Sequence, residues 1–140
     1  MSYPAEGGCL CGAVRYRLLA APRKSMHCHC DNCRKASGAA MLTWITVSEA
    51  DFEWLQGEAQ SYGYASEHYE APIERLFCGV CGSQLSWRAA ADGTVDITAG
   101  SLDDAELAAP QRHVFARGRV SWLQLADDLP SFATTPEHEA

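Results

Sequence analysis

Apolar and polar residues alternate in short runs along most of the chain. In residues 13–19, Val14, Tyr16 and Leu18 fall on one face and Ala13, Arg15 and Arg17 on the other, the period of a half-buried strand. Similar strand-length runs cover 40–47, 52–55, 60–64, 73–78, 84–87, 95–98, 112–116 and 120–125, most of them bounded by Gly, Pro, Ser, Asp or Glu. About nine strands are expected. Near the cysteines only 32–37 reads as helix, with Asp31 as its N-cap and Gly38 as its stop, and a second short helical turn is expected over 103–107. Many short strands with frequent turn signals predict a mainly β domain of sandwich or barrel-like form. The segment after Phe132 is polar, so the domain is expected to span 1–133 and to end in a flexible tail, 134–140.

Composition narrows the function. A chain of 140 residues suits one domain, and 47% apolar content is enough to fill its core. No apolar run approaches the ~18 residues of a membrane span. Eleven basic against eighteen acidic side chains give a formal charge of −7, which repels polyphosphate. Neither nucleic acid nor a membrane is an expected partner. The first residues lack the basic start and continuous apolar stretch of a secretion signal, which predicts a cytoplasmic location where thiols stay reduced.

Seven cysteines in such a chain are many, and an odd number cannot all pair as internal disulfides. They fall into three groups: Cys9 and Cys11 as C-x-C, Cys28, Cys30 and Cys33 as C-x-C-x2-C, and Cys78 and Cys81 as C-x2-C. Close grouping is what chelation requires, because a tetrahedral zinc with Zn–S bonds of ~2.3 Å needs its sulfurs within about 4 Å of one another. Cys78-Gly79-Val80-Cys81-Gly82 has the form of a zinc knuckle. Cys9 and Cys11, two apart in an extended segment and flanked by Gly7, Gly8 and Gly12, project to one face and could complete that site. Such a site would tie the N-terminal strand to the middle of the chain and contribute directly to folding.

Cys28, Cys30 and Cys33 are one ligand short of a closed tetrahedron. A three-ligand zinc keeps a position for water or substrate, the pattern of catalytic sites. Three alternatives stand beside this. His27 or His29 could fill the fourth position, although neighbours in an extended segment point to opposite faces. The 9/11 pair could join the 28/30/33 group instead. The thiols could also act as redox switches without metal.

Three stretches carry a resemblance to a known family. Gly7-Gly8-Cys9-Leu10-Cys11-Gly12-Ala13-Val14-Arg15-Tyr16, Cys28-His29-Cys30-Asp31-Asn32-Cys33-Arg34-Lys35 and Phe77-Cys78-Gly79-Val80-Cys81-Gly82 resemble the glutathione-dependent formaldehyde-activating family, which includes the centromere protein V relatives. Ala99 to Asp103, His113-Val114-Phe115 and Trp122 through Phe132 extend the likeness nearly end to end. The resemblance implies a mainly β, Mss4-like fold: a zinc-stabilised complex of short antiparallel sheets with one or two short helical turns. It implies a structural zinc on Cys9, Cys11, Cys78 and Cys81 and a catalytic zinc on Cys28, Cys30 and Cys33; two zinc ions per chain are expected, the second site labile or partly occupied. The implied activity is that of a carbon–sulfur lyase, with glutathione or a similar thiol adding reversibly to formaldehyde or another small electrophile.

The ligand set agrees with that chemistry. Three thiolates leave a zinc site of net charge −1, a weaker acidifier of water than a histidine site and better suited to hold a fourth sulfur as thiolate. Arg34 and Lys35 follow the triad and could attract a substrate carboxylate or simply form a solvated helix face. His29 could serve a proton transfer or a structural hydrogen bond, and His113 reads as a core residue. Trp44, Trp54, Trp87 and Trp122 are expected in the core or on sheet faces, one of them lining the pocket. Asp127 and Asp128 read as turn residues. The rival function is a zinc-stabilised binding or chaperone-like module without catalysis.

Overall fold

The computed structural model describes residues 3–89 and 92–136 and is mainly β. Ten strands run in chain order: β1 Ala5–Gly8, β2 Arg15–Leu18, β3 Lys24–Cys28, β4 Leu42–Ser48, β5 Phe52–Gln56, β6 Ala59–Tyr64, β7 Ile73–Cys78, β8 Gln84–Ala89, β9 Thr94–Thr98 and β10 Arg112–Val114. One short helix, α1 Asp31–Ser37, follows β3. The strands form a three-stranded sheet, β1-β2-β5, and a seven-stranded sheet, β10-β3-β4-β9-β8-β7-β6. All pairings are antiparallel except β10 with β3, which is parallel.

The main core lies between the sheets. Tyr16 and Leu18 of β2 meet Ile45 and Val47 of β4, Leu85 of β8, and Val95 and Ile97 of β9. Strand alternation then sends the intervening residues of the large sheet the other way. Trp44 and Thr46 of β4, Thr94 and Asp96 of β9, and Lys24, Met26 and Cys28 of β3 all face a cavity of about 430 Å³. On β8 a bulge resets the pattern: Leu76 faces Ser86 but Phe77 faces Gln84, so Leu85 is taken up by the core while Trp87 faces the cavity. Arg75 of β7, Tyr64 of β6, and Arg112 and Val114 of β10 complete the wall, so every strand of the large sheet contributes to one surface.

Several expectations need correction. Residues 120–125 are not a strand. Leu123 N–H donates to the Val120 carbonyl and Arg119 Nη1 to the Leu123 carbonyl, which closes the segment into a turn on the surface. Trp122 is accordingly 73% exposed rather than packed, whereas Trp44 and Trp87 both line the cavity and Trp54 packs at the core edge. Two strands, β1 and β3, fall outside the expected set. The helical turn near 103–107 is present as a 3-10 turn over Ala105–Ala108, capped by Asp104. Of the expected tail, Thr134 accepts a hydrogen bond from Phe115 N–H, Thr135 and Pro136 line the cavity, and 137–140 lie outside the described residues. No helix among the described residues is long and apolar enough to cross a membrane.

Candidate metal centres

The first cluster joins two similar turns. After β1 the chain turns back through Gly12, whose φ of 83° suits glycine, with Gly12 N–H donating to the Cys9 carbonyl and Val14 N–H to Cys9 Sγ at 3.3 Å. At the end of β7, Gly82 (φ 78°) closes the same kind of turn: its N–H donates to the Cys78 carbonyl, and the N–H groups of Val80 and Cys81 approach Cys78 Sγ at 3.4 and 3.5 Å. Leu10 N–H donates to Ser83 Oγ at 3.0 Å and holds the two turns face to face. Cys9 and Cys11 sulfurs are 3.7 Å apart, Cys11 and Cys78 sulfurs 3.8 Å. Tetrahedral arms of ~2.3 Å give an edge of about 3.8 Å, so the donor set fits a thiophilic metal. N–H groups aimed at the sulfurs favour the thiolate form that a metal needs. Cys81 is lowered to about 5, chiefly by the Ser83 hydroxyl and then by backbone N–H groups, whereas Cys11 in the same cluster is raised to about 11.

The second cluster grows from β3 into α1. Cys28 ends the strand, Cys30 has extended backbone (φ −67°, ψ 153°) and caps the helix, and Cys33 lies in its first turn. Cys30 Sγ, not the expected Asp31 side chain, accepts the Cys33 N–H at 3.3 Å, because the helix begins one residue early. Gly38, left-handed at φ 73°, ends it as expected. The Cys33 and Cys28 sulfurs lie 3.4 Å apart, and all three sulfurs are mutually within 4.8 Å. All three residues are buried and line the cavity. The Cys28 and Cys30 thiols, and then Arg75, pull the Cys33 thiol well below the usual thiol range, while Cys30 and Cys33 push the Cys28 thiol up.

No fourth His, Cys, Asp or Glu ligand atom joins this triad among the described residues. His27 and His29 both turn away. His27 Nδ1 pairs with Thr43 Oγ1 at 2.7 Å. His29 is fully buried and its Nε2 lies 2.8 Å from His113 Nδ1, while His113 Nε2 lies 2.9 Å from Asp127 Oδ2. Asp127 can only accept, so His113 presents Nδ1 as an acceptor and His29 donates from Nε2. Burial and the neighbouring His113 hold His29 down to about 4, so the His29 ring is neutral at working pH. Asp127 also caps its turn by accepting Leu129 N–H, and Asp128 takes the left-handed backbone of a turn.

Around the triad the cavity wall is cationic and aromatic. Arg75, 6% exposed, sends Nη2 to within 3.6 Å of Cys33 Sγ and donates from Nε to Tyr64 Oη at 2.8 Å. Burial works against its charge, but Cys33 and Tyr64 more than offset it, and its pKa is raised. The first turn of α1 is tied down by the 66–68 loop, where Ser66 Oγ donates to Asn32 Oδ1 and His68 Nε2 lies 2.9 Å from Asp31 Oδ1. Neither Arg34 nor Lys35 lines the cavity; Lys24, Arg75 and Arg112 supply its positive charge instead. Arg75, Tyr64, Asp96 and His68 carry no motif. Arg75 has one signature in the sequence, a charge at the same strand parity as the apolar Ile73.

Comparison with known proteins agrees with this arrangement. The sequence profile of the family described as glutathione-dependent formaldehyde-activating enzyme matches residues 4–118. A Halomonas elongata protein provisionally named glutathione-dependent formaldehyde-activating enzyme is 29% identical over 129 residues, covering 86% of this chain and 80% of the relative. A crystal structure of a Rhodobacter sphaeroides protein matches with a TM-score of 0.55 at 18% identity, covering 91% of this chain and 99% of that one, which shows a shared fold. With both cysteine-bearing turns and the triad inside the matched span, the chain belongs to the glutathione-dependent formaldehyde-activating enzyme family.

Proposed function

We propose that the protein is a carbon–sulfur lyase that reversibly adds glutathione, or a similar thiol, to formaldehyde or another small aldehyde. The observation that carries this reading is the buried Cys28, Cys30 and Cys33 triad, which opens on a cavity of about 430 Å³ with no fourth protein donor among the described residues. Cys9, Cys11, Cys78 and Cys81 hold a structural zinc in this reading, and Cys28, Cys30 and Cys33 hold the second, with one protein donor fewer. A zinc at the triad would supply a soft Lewis acid that keeps an incoming thiol, ordinarily near pKa ~8.5, as thiolate at neutral pH.

The chain's own residues shape the reaction. Trp44, Trp87 and Tyr69 form apolar walls that exclude water from the reacting sulfur. Lys24 and Arg112 bring cations to the cavity, and Asp92 and Asp96 bring carboxylates. Both signs suit a peptide thiol that carries carboxylates and an ammonium group. The thiolate lone pair forms the new C–S bond, the carbonyl π pair moves to oxygen, and that oxygen takes up the proton released when the thiol ionised. A site built on free thiols suits a reducing, cytoplasmic location.

The test is magnetisation-transfer NMR on metal-replete protein mixed with glutathione and formaldehyde. Faster exchange between formaldehyde and its thiol adduct, at two metals per chain, is the expected result. Unchanged exchange with both metals bound would instead favour a binding module.

A further inference from the structure

A guanidinium buried from water needs an acceptor for each of its N–H groups. Arg75 has acceptors for only part of its fork. Nε is satisfied by Tyr64 Oη at 2.8 Å and Nη2 by Cys33 Sγ at 3.6 Å. The rings of Trp44 and Tyr64 lie 5.9 and 5.7 Å from the guanidinium carbon, cation–π contacts that help to fix its plane. Nη1 is equally buried and has no hydrogen-bond partner among the described residues. Among the described residues no carboxylate is within ion-pair distance of the side chain either, so the structure holds a rigid cationic donor in a residue of the cavity wall, beside a cluster sulfur, with one arm to spare.

We infer that Arg75 is a catalytic residue of the thiol–aldehyde reaction, its Nη1 donating a hydrogen bond to the aldehyde oxygen as the carbon–sulfur bond forms. This rests on the proposed function. As the thiolate adds, the carbonyl oxygen gains the displaced π pair and becomes an alkoxide. Arg75 stabilises that charge until a solvent proton neutralises it, and in reverse it stabilises the same alkoxide as the C–S bond breaks. A donor already oriented before the reaction needs no reorganisation when charge develops, which is why such groups accelerate addition to carbonyls. Arginine suits the task because it stays charged at any working pH and its planar fork lets Nη2 hold Cys33 while Nη1 is left without a protein partner. A residue serving only to bind a distant substrate carboxylate would have no reason to contact a sulfur of the triad.

The test compares wild type with Arg75→Gln, Arg75→Lys and Tyr64→Phe. Three quantities are measured: metals per chain, exchange kinetics with glutathione and formaldehyde, and calorimetric binding of two thioethers, S-carboxymethylglutathione and S-ethylglutathione. The first thioether places an anionic oxygen near the reacting carbon and the second does not. Arg75→Gln should keep both metals and a glutathione KM within about threefold of wild type, while kcat falls by roughly 10²–10³. The preference of wild type for the carboxymethyl thioether, about tenfold, should shrink below about threefold. Tyr64→Phe, which frees Nε, should give a smaller loss of kcat in the same direction. If Arg75→Gln does not fold, Arg75→Lys and Tyr64→Phe carry the kinetic test, since each keeps a cation at this position.

The inference is overturned if kcat is unchanged while KM rises, or if the thioether preference survives the loss of the guanidinium. Absence of any exchange in wild type would defeat the proposed function. The thioether comparison would then still report, by itself, whether Arg75 donates to an anionic oxygen at this place.

Discussion

Removing one sulfur from each cluster should have unequal effects on stability, and the inequality can be worked from chain length. Cys11 and Cys78, whose sulfurs are 3.8 Å apart, are separated by 67 residues. Cys28 and Cys33, at 3.4 Å, are separated by 5. A metal bound at either place closes a loop that the unfolded chain leaves open. Treated as a cross-link, the long loop removes about 4 kcal/mol of unfolded-state entropy and the short one about 2 kcal/mol. Cys78 and Cys30 are both buried, so exchanging sulfur for a hydroxyl costs them similar amounts and largely cancels between variants. Cys78→Ser should therefore destabilise the metal-replete protein by about 2 kcal/mol more than Cys30→Ser, a large share of a typical stability of ~5–15 kcal/mol. Urea unfolding measures the difference, and repeating it in excess chelator should abolish it, because loop closure depends on the metal. Cys30→Ser should also eliminate thiol–formaldehyde exchange while leaving a folded protein. Equal losses, or a gap that survives chelation, would refute the division into a structural and a reactive site.

Four further substitutions test parts of the same structure. Burial raises the Asp96 carboxyl to about 6, so wild type loses stability as pH rises from about 4 through 6; Asp96→Asn should be more stable by on the order of 2 kcal/mol above pH 6, the advantage fading as pH falls to about 4 in thermal melts. Replacing His113 with Phe strands the buried His29 Nε2–H and should cost about 2 kcal/mol in urea unfolding, with both metals retained. A Cβ on Gly7 would overlap the Tyr16 hydroxyl and the Ser101 carbonyl, so Gly7→Ala should lose about 1–3 kcal/mol. Gly100→Ala, with nothing within 4 Å of the added carbon, should change stability by less than about 0.5 kcal/mol in the same assay.

How far the sequence reveals this molecule depends on whether a feature is local. Cysteine spacing is local, and the two clusters assemble from the groups it suggests. β7, with Ile73, Arg75 and Cys78 buried, coincides with its apolar run. β1, Ala-Glu-Gly-Gly, has no strand-forming residue and exists because β2 supplies its partner. β3 is polar enough to pass for a loop but lies between β10 and β4, and that position makes it a strand. Conversely, 120–125 has an apolar rhythm and no sheet edge to join, so it closes as a turn. The cavity is the least legible feature. Its wall depends on seven strands in register and on the bulge at Leu85, which brings Trp87 to the same side as Asp96.

Burial and openness run in opposite directions at the two clusters, which bears on how metal lability should be read. The four-cysteine site has a complete set of donors, yet Cys11 is exposed and Cys81 half-buried, while Leu10 and Val80 project into solvent at 90% and 80% exposure. The three-cysteine site has no fourth donor among the described residues, yet all its cysteines are buried in a cavity lined by aromatic rings. A bulky chelator can therefore reach the four-cysteine site quickly and the three-cysteine site slowly, the reverse of the order that their donor counts predict for binding strength. Rate of metal loss reports access; only equilibrium competition reports how many protein donors each metal keeps. A small thiol that enters the cavity separates the two: it should perturb a cobalt ion substituted at the triad and leave the spectrum of cobalt at the four-cysteine site unchanged. Perturbation of both spectra alike would mean that neither site is closed, and the assignment of a purely structural role to Cys9, Cys11, Cys78 and Cys81 would fall.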